Sequence, residues 1–576
     1  MPKRWSIAPP VAEDVQRRFP ELDGVTLQLL TNRERTTQEL VDEFLYPDYG
    51  EDLHDPFLFR QMRTAVDRIA HALKVKESIQ LFGDYDVDGV SALTVLFATF
   101  RALGRSDIPV YIPDRYGEGY GLNLGAVEEF GRAGIRLLIT CDCGTSNAEE
   151  IRRARELGMD VIVVDHHKQP PNVPSALAIL NPAFAEETYP FKKLCSGGVA
   201  FKLACALLKE VRYGEGMLDR PLPQGWEKWL LDVVALSTVA DVMPLLGENR
   251  TLVKHGLTVL KKTRRPGIRA LAAMAGADLN KITSGAIGFV YGPRLNAAGR
   301  IKHANAAFEL LTTEDSARAD VLAAELHHTN ADRQAITGDH VAEALRAVPK
   351  NPLPNLLTAH SPTWITGVVG LVAGRLKETF NRPALAVGKE GEKLVGSGRS
   401  IPGFDITAAL AECKEFLSHF GGHPMACGFT LRSADHLTPF FLAMQTIAER
   451  ELSGKNLSPV LALDMELALS AVDWKLVETL ARFEPFGVGN PEPTFLSAGL
   501  LPVAFSKVGE NGKHVRLEVH DGKGTTRKAI AFGMGAKADN LKIGSPIDCA
   551  YHVSVNEWNG NRELQLKVVD LRPSEA

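Results

Sequence analysis

The sequence predicts a multidomain α/β protein with a parallel-sheet domain, a long connecting helix, a smaller α/β domain and a C-terminal β-barrel. Three observations predict this class. The chain has 576 residues, whereas one domain usually holds about 100–200 residues. Short apolar segments alternate with amphipathic ones between residues 78 and 164. Beyond residue 453, short alternating segments are separated by Gly- and Asn-containing turns, which is typical of a small barrel such as an OB-fold.

The parallel sheet is predicted from the alternation of strands and helices. Four short apolar segments have the composition of buried strands: 78–82, 110–112, 137–141 and 161–164. The segments 89–103 and 147–157 between them have helical patterns. Strands that alternate with helices at this spacing form parallel sheets covered on both faces.

The remaining segments are assigned by pattern and composition. Residues 313–350 are rich in Ala, Leu, Glu, Asp and Arg and contain no Pro before residue 349, which predicts either one long connecting helix or an amphipathic helix pair. The predicted division has five parts: an N-terminal helical region at 1–52, the parallel-sheet domain at 53–312, the connecting helix at 313–350, the smaller α/β domain at 351–452 and the barrel at 453–576.

Composition restricts the class of protein. The formal net charge of −5 argues against a protein that coats duplex DNA, but it is compatible with a narrow nucleic-acid channel beside a cation site. The seven Cys include no CxxC pair, which favours reduced thiols. The N-terminus lacks the apolar core of a signal peptide, and no apolar stretch reaches the roughly 18–20 residues that span a bilayer. We therefore expect a cytoplasmic protein.

The first chemical signal is a run of three carboxylates, Asp84, Asp86 and Asp88, directly after a predicted strand. Carboxylates this close repel one another, and a cation would offset the repulsion. We expect alternate residues at the strand end to project to the same side and converge. The alternatives are a solvated acidic turn or a calcium loop, although the segment lacks the closing Glu of an EF-hand.

Three further signals follow other apolar segments. Asp142 follows 137–141, Asp165-His166-His167 follows 161–164, and Asp241 follows the apolar segment 236–240. A single Asp at such a place is often only a helix cap. Because ligands bind at the carboxyl ends of parallel strands, we expect these side chains to lie together. Oxygen ligands with an imidazole favour manganese or magnesium over zinc, and two such ions can assist phosphodiester hydrolysis.

These motifs, in this order, resemble the DHH phosphoesterase superfamily, which is named for the Asp165-His166-His167 signature. The resemblance to its bacterial single-strand exonuclease branch covers nearly the whole chain. The other matching segments are 4–5, 53–57, 83–89, 114–121, 238–242, 292–300, 396–400 and 421–423. The last two belong to the signature of the second domain, called DHHA1, and the resemblance implies an OB-fold for the barrel.

The resemblance implies roles for the acidic and imidazole residues. The implied metal ligands are Asp86, Asp88, Asp142, His166 and Asp241, with Asp142 bridging two Mn²⁺ or Mg²⁺ ions. Asp84 matches the first Asp of the family's loop and is included as a candidate ligand. His167 is similar to a residue that faces the scissile phosphate. Asp142, His166 and His167 are therefore the expected catalytic residues.

A second set of residues is expected to bind substrate: Arg115, Arg294, Asn296, Arg300, Ser397, Arg399 and His423. Several lie in segments rich in small residues, which predict turns at 292–300, 396–403 and 420–428. Small residues let backbone N–H groups approach an anion, and Arg can bind phosphate with two hydrogen bonds. Purely structural turns are the alternative. The resemblance implies a pocket for the terminal 5′ phosphate at Ser397 and Arg399.

The function that the resemblance implies is 5′-to-3′ exonuclease activity on single-stranded DNA, in recombination and repair, with the barrel guiding the strand. A monomer is expected, with single-strand-binding protein and a repair helicase as partners. One alternative is a phosphodiesterase for short oligonucleotides or cyclic dinucleotides, which would not need the barrel. The other is a non-catalytic nucleic-acid-binding replication scaffold, which should lack part of the acidic set that this chain retains.

Overall fold

The computed structural model describes residues 3–115, 117–213, 222–301, 304–558 and 560–574. The chain forms two compact units, which are described separately. The larger unit contains Trp5–Gly292, Phe308–Ser316 and Leu461–Ala576, and the smaller contains Pro293–Ala307 and Ala317–Val460. These two units do not test which segments fold independently. The five-part division therefore stays a prediction.

The N-terminal region, predicted as helical, also contains a strand. Its elements are β1 (Arg4–Ile7), α1 (Glu13–Arg18), α2 (Gly24–Thr31) and α3 (Gln38–Leu45). The side chains of Asp23 and Thr37 accept hydrogen bonds from backbone N–H groups and so cap α2 and α3. The apolar faces of these helices share one core with the C-terminal barrel region, where the rings of Phe44 and Phe483 lie 5.5 Å apart.

The predicted parallel sheet is confirmed. The elements of this part are α4 (Met62–Lys74), β2 (Ile79–Gly83), α5 (Val87–Ala102), β3 (Val110–Tyr111), α6 (Leu124–Arg132), β4 (Leu137–Cys141), α7 (Ala148–Glu156), β5 (Asp160–Val164) and β6 (Ala178–Leu180). The five strands are all parallel, in the order β3-β2-β4-β5-β6. Every residue of β2 and β4 is buried, as both faces of the sheet are covered.

Helices follow the parallel sheet. They are α8 (Ser196–Tyr213), α9 (Leu231–Ala240), α10 (Gly247–Leu260), α11 (Pro266–Met274), α12 (Ser284–Ala286), a π-helix (Ile287–Tyr291), α13 (Gly292–Ile301), α14 (Asn305–Thr312) and α15 (Ser316–Ala347). Helix α15 is a single helix of 32 residues, which decides between the two predictions for this segment. No helix among the described residues has both the length and the apolar character needed to cross a membrane.

The smaller unit contains a second, mixed sheet. Its elements after α15 are β7 (Leu357–His360), α16 (Thr366–Phe380), β8 (Ala384–Glu390), β9 (Lys393–Arg399), α17 (Ile406–Glu412), β10 (Leu417–His423), β11 (Ala426–Leu431) and α18 (Leu437–Leu452). The strand order is β10-β11-β9-β8-β7, with β7 and β8 parallel and the other pairs antiparallel. The prediction of Gly-rich turns at 396–403 and 420–428 is wrong for most of these residues, which lie in β9, β10 and β11.

Packing explains why glycine occurs in a strand here. A Cβ atom on Gly396 would lie 2.2 Å from the ring of Phe429 on the neighbouring strand. The large buried Phe429 ring therefore occupies the space of the missing side chain.

The barrel predicted at the C-terminus is confirmed. Its region contains β12 (Val460–Leu463), β13 (Met465–Glu466), α19 (Trp474–Phe483), β14 (Phe495–Val508), β15 (His514–His520), β16 (Thr526–Ala531), β17 (Ile547–Trp558) and β18 (Asn561–Pro573). Strands run in the order β13-β14-β15-β16-β18-β17, and β17 also pairs with β14, which closes the barrel as in an OB-fold. Strand β12 pairs with β1 instead.

Candidate metal centre and substrate-binding residues

The first acidic motif forms the turn from β2 into α5. Asp84 follows the strand and is buried, whereas Asp86 is the N-cap of α5 and Asp88 lies in its first turn. The Asp86 Oδ1 atom accepts hydrogen bonds from the backbone N–H groups of Asp88 and Gly89. The expectation that the three carboxylates alternate along a strand end is therefore wrong. Ligand atoms of Asp84 and Asp86 lie within 4.8 Å of each other, whereas the Asp88 carboxylate lies with His166 and Asp241 because the chain turns into a helix at this point.

Asp142 follows β4 in a conformation that L-residues seldom adopt. Its φ is +62°, in the left-handed region, and its side chain is buried. Strain of this kind costs of order 1–3 kcal/mol and persists where the surroundings enforce it. Here the Tyr120 hydroxyl donates to the Asp142 carbonyl oxygen, and the Ser196 hydroxyl donates to Asp142 Oδ1 at 2.8 Å. Asp142 is thus held by its neighbours and does not cap a helix.

The Asp165-His166-His167 signature follows β5, and its three residues have different environments. The buried Asp165 carboxylate accepts hydrogen bonds from the backbone N–H groups of Thr145, His166 and His167. It also lies 2.7 Å from His167 Nδ1, which orients that ring. Burial opposes ionisation, but the bond and charge of His167 lower the pKa of Asp165. Asp165 therefore holds the backbone of His166 and His167, and the ring of His167, in place by hydrogen bonds.

Asp241 lies at the C-terminal end of helix α9, so the apolar segment 236–240 before it belongs to a helix and not to a strand of the sheet. Its Oδ2 atom is buried and has no hydrogen-bond partner. The Oδ1 atom of Asp84 has the same property. An acceptor that is buried without a donor is costly, so each of these oxygens is suited to a cation.

The four motifs converge. His166 Nε2 lies 3.6 Å from Asp88 Oδ2, 3.4 Å from Asp142 Oδ1 and 3.6 Å from Asp241 Oδ2. Three groups bring their ligand atoms within 4.8 Å of one another: Asp84–Asp86–Asp142, Asp142–His166–His167 and Asp88–His166–Asp241. Ligand atoms of an octahedral Mg²⁺ at about 2.1 Å are roughly 3 Å apart. The donor set thus fits one or more hard divalent cations, and Asp142 and His166 each occur in two groups.

Electrostatics agree with a cation site. Burial, followed by the charges of Asp88, Asp86, Asp84 and Asp241, raises the pKa of Asp142 well above its usual value. Burial and the charges of Asp88 and Asp86 raise the pKa of Asp241 to about 9. Burial also lowers the pKa of His166, which favours the neutral imidazole that a metal needs.

The environment of Asp88 was not anticipated from the sequence. Its carboxylate accepts hydrogen bonds from the backbone N–H groups of Ser196 and Gly197, in the first turn of α8, and from the Ser237 hydroxyl. A helix N-terminus stabilises a negative charge in this way. The signal available in the sequence was the segment Ser196-Gly-Gly at the start of an apolar helix.

Of the predicted substrate-binding residues, Arg115 belongs to the same unit as the carboxylates. Its guanidinium lies 5.1 Å from the centre of the Tyr85 ring, and its charge counteracts the raised pKa of Asp84. Arg115 is therefore close to the first acidic turn. Tyr120, in the same loop, has its hydroxyl 3.3 Å from His167 Nε2.

The other predicted substrate-binding residues belong to the smaller unit. Arg294, Asn296 and Arg300 lie in helix α13, so the expected turn is wrong. Pro293 is compatible with the first turn of a helix, and the Ala-rich sequence that follows favours one. Arg294 Nε donates to His327 Nδ1, and Arg300 Nη1 donates to the carbonyl oxygen of Gly367 in α16.

Ser397 and Arg399 lie two residues apart on β9, so their side chains share one face. Arg399 Nη1 donates to Ser397 Oγ at 2.9 Å. A Cβ atom on Gly370 of α16 would lie 2.9 Å from Arg399 Nη2, so both side chains approach this helix where glycine leaves room. The backbone groups of β9 pair with β8 and β11, which excludes the expected cradle of free N–H groups. His423 ends the exposed edge strand β10.

A buried cluster of carboxylates and imidazoles at a parallel sheet, with a second α/β region and a closed barrel, defines a metal-dependent phosphoesterase of the DHH class. Family models agree: the DHH family N-terminal domain matches residues 78–238, the DHHA1 domain 354–449 and the RecJ OB domain 463–570. The chain belongs to the RecJ family of single-stranded-DNA-specific exonucleases, as the following comparisons show.

The single-stranded-DNA-specific exonuclease RecJ of Bacillus subtilis is 36% identical over 577 residues, which cover 99% of this chain and 71% of that protein. The crystal structure of Thermus thermophilus RecJ in complex with Mn²⁺ has a TM-score of 0.84 at 29% identity, covering 100% of this chain and 80% of that one. The Mg²⁺ complex of the same protein has a TM-score of 0.77 at 28% identity, covering 100% and 79%.

Proposed function

We propose that this enzyme degrades single-stranded DNA from its 5′ end by two-metal phosphodiester hydrolysis, in DNA recombination and repair. The observation that carries the proposal is the convergence of Asp88, Asp142 and Asp241 on the imidazole of His166. Membership of the RecJ family supports single-stranded DNA as the substrate, over both a dinucleotide phosphodiesterase and a non-catalytic scaffold.

Two Mn²⁺ or Mg²⁺ ions would be held by Asp84, Asp86, Asp88, Asp142, His166 and Asp241. The Mn²⁺ and Mg²⁺ complexes of the Thermus thermophilus relative support these ions. When bound, a pair of divalent cations activates water and stabilises charge on the phosphodiester. Asp142 would be shared by the two sites, since it groups with Asp84 and Asp86 and its Oδ1 atom also lies 3.4 Å from His166 Nε2.

His167 would contact the phosphate. Burial disfavours its charged form, but the hydrogen bond with Asp165 and the nearby carboxylates raise the pKa of His167 to about 9. The Asp165 carboxylate, 2.7 Å from Nδ1, holds the orientation of the ring and favours its charged form, which can donate a hydrogen bond to a phosphate oxygen. The same ring lies within the ligand group of Asp142 and His166.

The activity is tested by following nucleotide release in Mn²⁺ from a long 5′-phosphorylated single strand, the matching duplex, and a dinucleotide. We expect rapid release from the single strand, little from the duplex, and loss of release in a chelator. Cleavage of the dinucleotide alone would support the short-substrate phosphodiesterase. Binding of the strand without any release would support the scaffold.

Polarity would come from a 5′-phosphate pocket at Ser397 and Arg399. Burial lowers the pKa of the Arg399 guanidinium, so an anion beside it would be stabilised. We expect Arg399→Ala to reduce kcat/KM for a 5′-phosphorylated strand about 10–100-fold, since charged hydrogen bonds contribute roughly 1.5–3 kcal/mol. The 5′-hydroxyl strand should change little, so the ratio of the two rates is the measurement.

Arg375→Ala, an exposed arginine on α16, is the matched control and should leave the ratio unchanged. Arg399→Lys should recover only part of the preference, because lysine lacks the planar fork of donors. A full preference for the 5′ phosphate in Arg399→Ala would remove the pocket from these residues.

The remaining substrate contacts are assigned by the same proposal. Arg115, Arg294, Asn296, Arg300 and His423 would contact the strand, and the barrel would guide it by backbone charge and base stacking. The enzyme would act as a cytoplasmic monomer, with single-strand-binding protein and a repair helicase as partners. Mass measurement in solution tests the monomer, and a dimer would contradict it.

A further inference from the structure

Two exposed apolar side chains lie on segments that adjoin the Asp241 end of the metal centre. Phe289, in the π-helix, is 85% exposed, and Val242, the residue after Asp241, is 64% exposed. Exposure of a phenyl ring forgoes the stabilisation that its burial would contribute. The stability of the folded chain therefore does not explain why these two apolar side chains are exposed.

The backbone at Val242 makes the choice of valine more unusual. The Met243 N–H donates to the Thr238 carbonyl oxygen and the Val242 N–H to that of Val239, which is the hydrogen-bond pattern of a Schellman helix end. This motif places Val242 in the left-handed region, with φ +61°, where glycine is usual. A β-branched side chain is destabilising in this conformation. Glycine would be more stable at this position.

The π-helix is anchored against the same helix end. Ile287 and Tyr291 are buried, so the π-turn is fixed on both sides of Phe289. The π-helix contacts α9, and a Cβ atom on Gly292 would lie 3.6 Å from Ala240 Cβ, one residue before Asp241. Single π-turns within helices are rare and frequently occur at functional sites. Here the π-turn presents Phe289 to solvent beside the segment that bears Asp241.

We propose that Phe289 and Val242 form an apolar platform on which a nucleobase of the DNA strand stacks, next to the phosphodiester at the metal centre. This inference rests on the proposed exonuclease function. A phosphate of the DNA strand beside Asp241 is flanked by nucleosides. The group of the strand that can contact an apolar side chain next to Asp241 is therefore a base. Stacking suits an enzyme without sequence preference, because every base has a π-face, and each stacked base contributes about 1–3 kcal/mol.

The test combines a protein change with a substrate change. Phe289→Ala should lower kcat/KM for a 5′-phosphorylated single strand about 5–100-fold. The same strand is then made with an abasic residue at each of the first few positions in turn. At the position whose base stacks on Phe289, wild type should already be slow, and Phe289→Ala should add no further loss. Phe289→Trp should restore the rate, since it retains a stacking surface.

Separate measurements distinguish folding from stacking. Because Phe289 is exposed, Phe289→Ala should keep the wild-type melting temperature and the wild-type rise in melting temperature on adding Mn²⁺. Val242→Gly should melt at the wild-type temperature or a higher one. It should bind the complete strand, which has no abasic residue, more weakly than wild type does. Leu442→Ala, at an exposed position on α18, is the control and should behave as wild type.

The proposal is overturned if Phe289→Ala retains full activity. It is also overturned if Phe289→Ala loses the same factor on the complete strand as on every abasic strand, because the side chain would then not contact a base. A wild-type chain that releases no nucleotide in Mn²⁺ would overturn the exonuclease function itself. That failure is seen without any variant, so the two failures are distinguishable.

Discussion

Replacing Asp142 by alanine is expected to abolish nucleotide release, with a loss of about 10³-fold or more, or roughly 4 kcal/mol of transition-state stabilisation. The physical reason is that Asp142 occurs in two of the three candidate ligand groups. Loss of Asp84 or Asp241 would remove one ligand from one group, whereas loss of Asp142 weakens two groups at once. The measurement is single-turnover release of nucleotides in saturating Mn²⁺.

Asp142→Asn is the sharper variant. Asparagine keeps the size of the side chain, tolerates the left-handed conformation of this residue and can still accept the hydrogen bond from Ser196. It removes the charge and replaces one carboxylate oxygen by an NH2 group, which does not bind a cation. We expect Asp142→Asn to be as inactive as Asp142→Ala, while binding of the strand is largely retained because the residues assigned to the strand are unchanged.

The stability of these variants provides an independent readout. Since burial and the neighbouring carboxylates raise the pKa of Asp142, its ionised form destabilises the metal-free fold at neutral pH. Asp142→Asn should therefore be at least as stable as wild type without metal. Wild type should gain about 2.7 kcal/mol at a Mn²⁺ concentration 100 times Kd, and Asp142→Asn should lose most of that gain.

Asp67→Asn is the matched control, because Asp67 is an exposed carboxylate on α4. It should retain both activity and the Mn²⁺-induced stabilisation. Wild-type turnover in Asp142→Ala, or an undiminished Mn²⁺ shift in Asp142→Asn, would contradict the metal assignment.

The largest effect on stability is expected for Arg250→Ala. Arg250 is buried in helix α10 and forms no ion pair among the described residues. Its guanidinium donates to the carbonyl oxygen of Phe44 and to four consecutive carbonyl oxygens, those of residues 482–485, at the end of α19. It also lies 3.9 Å from the centre of the Phe44 ring. One side chain thus joins three segments that are distant in the chain.

Removing this guanidinium leaves several buried acceptors without a donor. Each unsatisfied acceptor costs about 1–3 kcal/mol, so we expect Arg250→Ala to lower the free energy of unfolding by about 4 kcal/mol. Burial lowers the pKa of Arg250 to about 9, so the site disfavours the charge and the guanidinium depends on partners such as these carbonyl oxygens. Urea denaturation of the variant and wild type measures the difference.

Two further variants test whether the lost hydrogen bonds cause the destabilisation of Arg250→Ala. Arg250→Lys keeps the charge but cannot reach five acceptors, so it should be nearly as destabilising as alanine. Arg17→Ala removes an exposed arginine that pairs with Glu13 on α1, and it should change stability by less than about 0.5 kcal/mol. An Arg250→Ala protein as stable as wild type would show that these carbonyl groups find other donors.

Much of the fold could be predicted from local patterns. The strands β2, β4 and β5 are mainly apolar segments of five residues, and α15 is a long segment without proline. Where prediction failed, packing decided the conformation. Gly396 suggested a turn, but the glycine is needed because Phe429 occupies the adjacent space in a strand. The π-turn at Phe289 has no periodic signal at all.

The residue types along the chain were enough to identify the chemistry of the site: carboxylates and imidazoles after apolar segments, arginines among small residues, and the order of motifs that resembles one superfamily. These are local properties, because residue type and periodicity are read along the chain. The three-dimensional packing was needed to show that His166 Nε2 lies within 3.6 Å of three carboxylates, that α8 donates N–H groups to Asp88, and that Arg250 joins distant segments. Such distances depend on how helices and strands pack, and residues on different helices and strands carry no local signal of their contact.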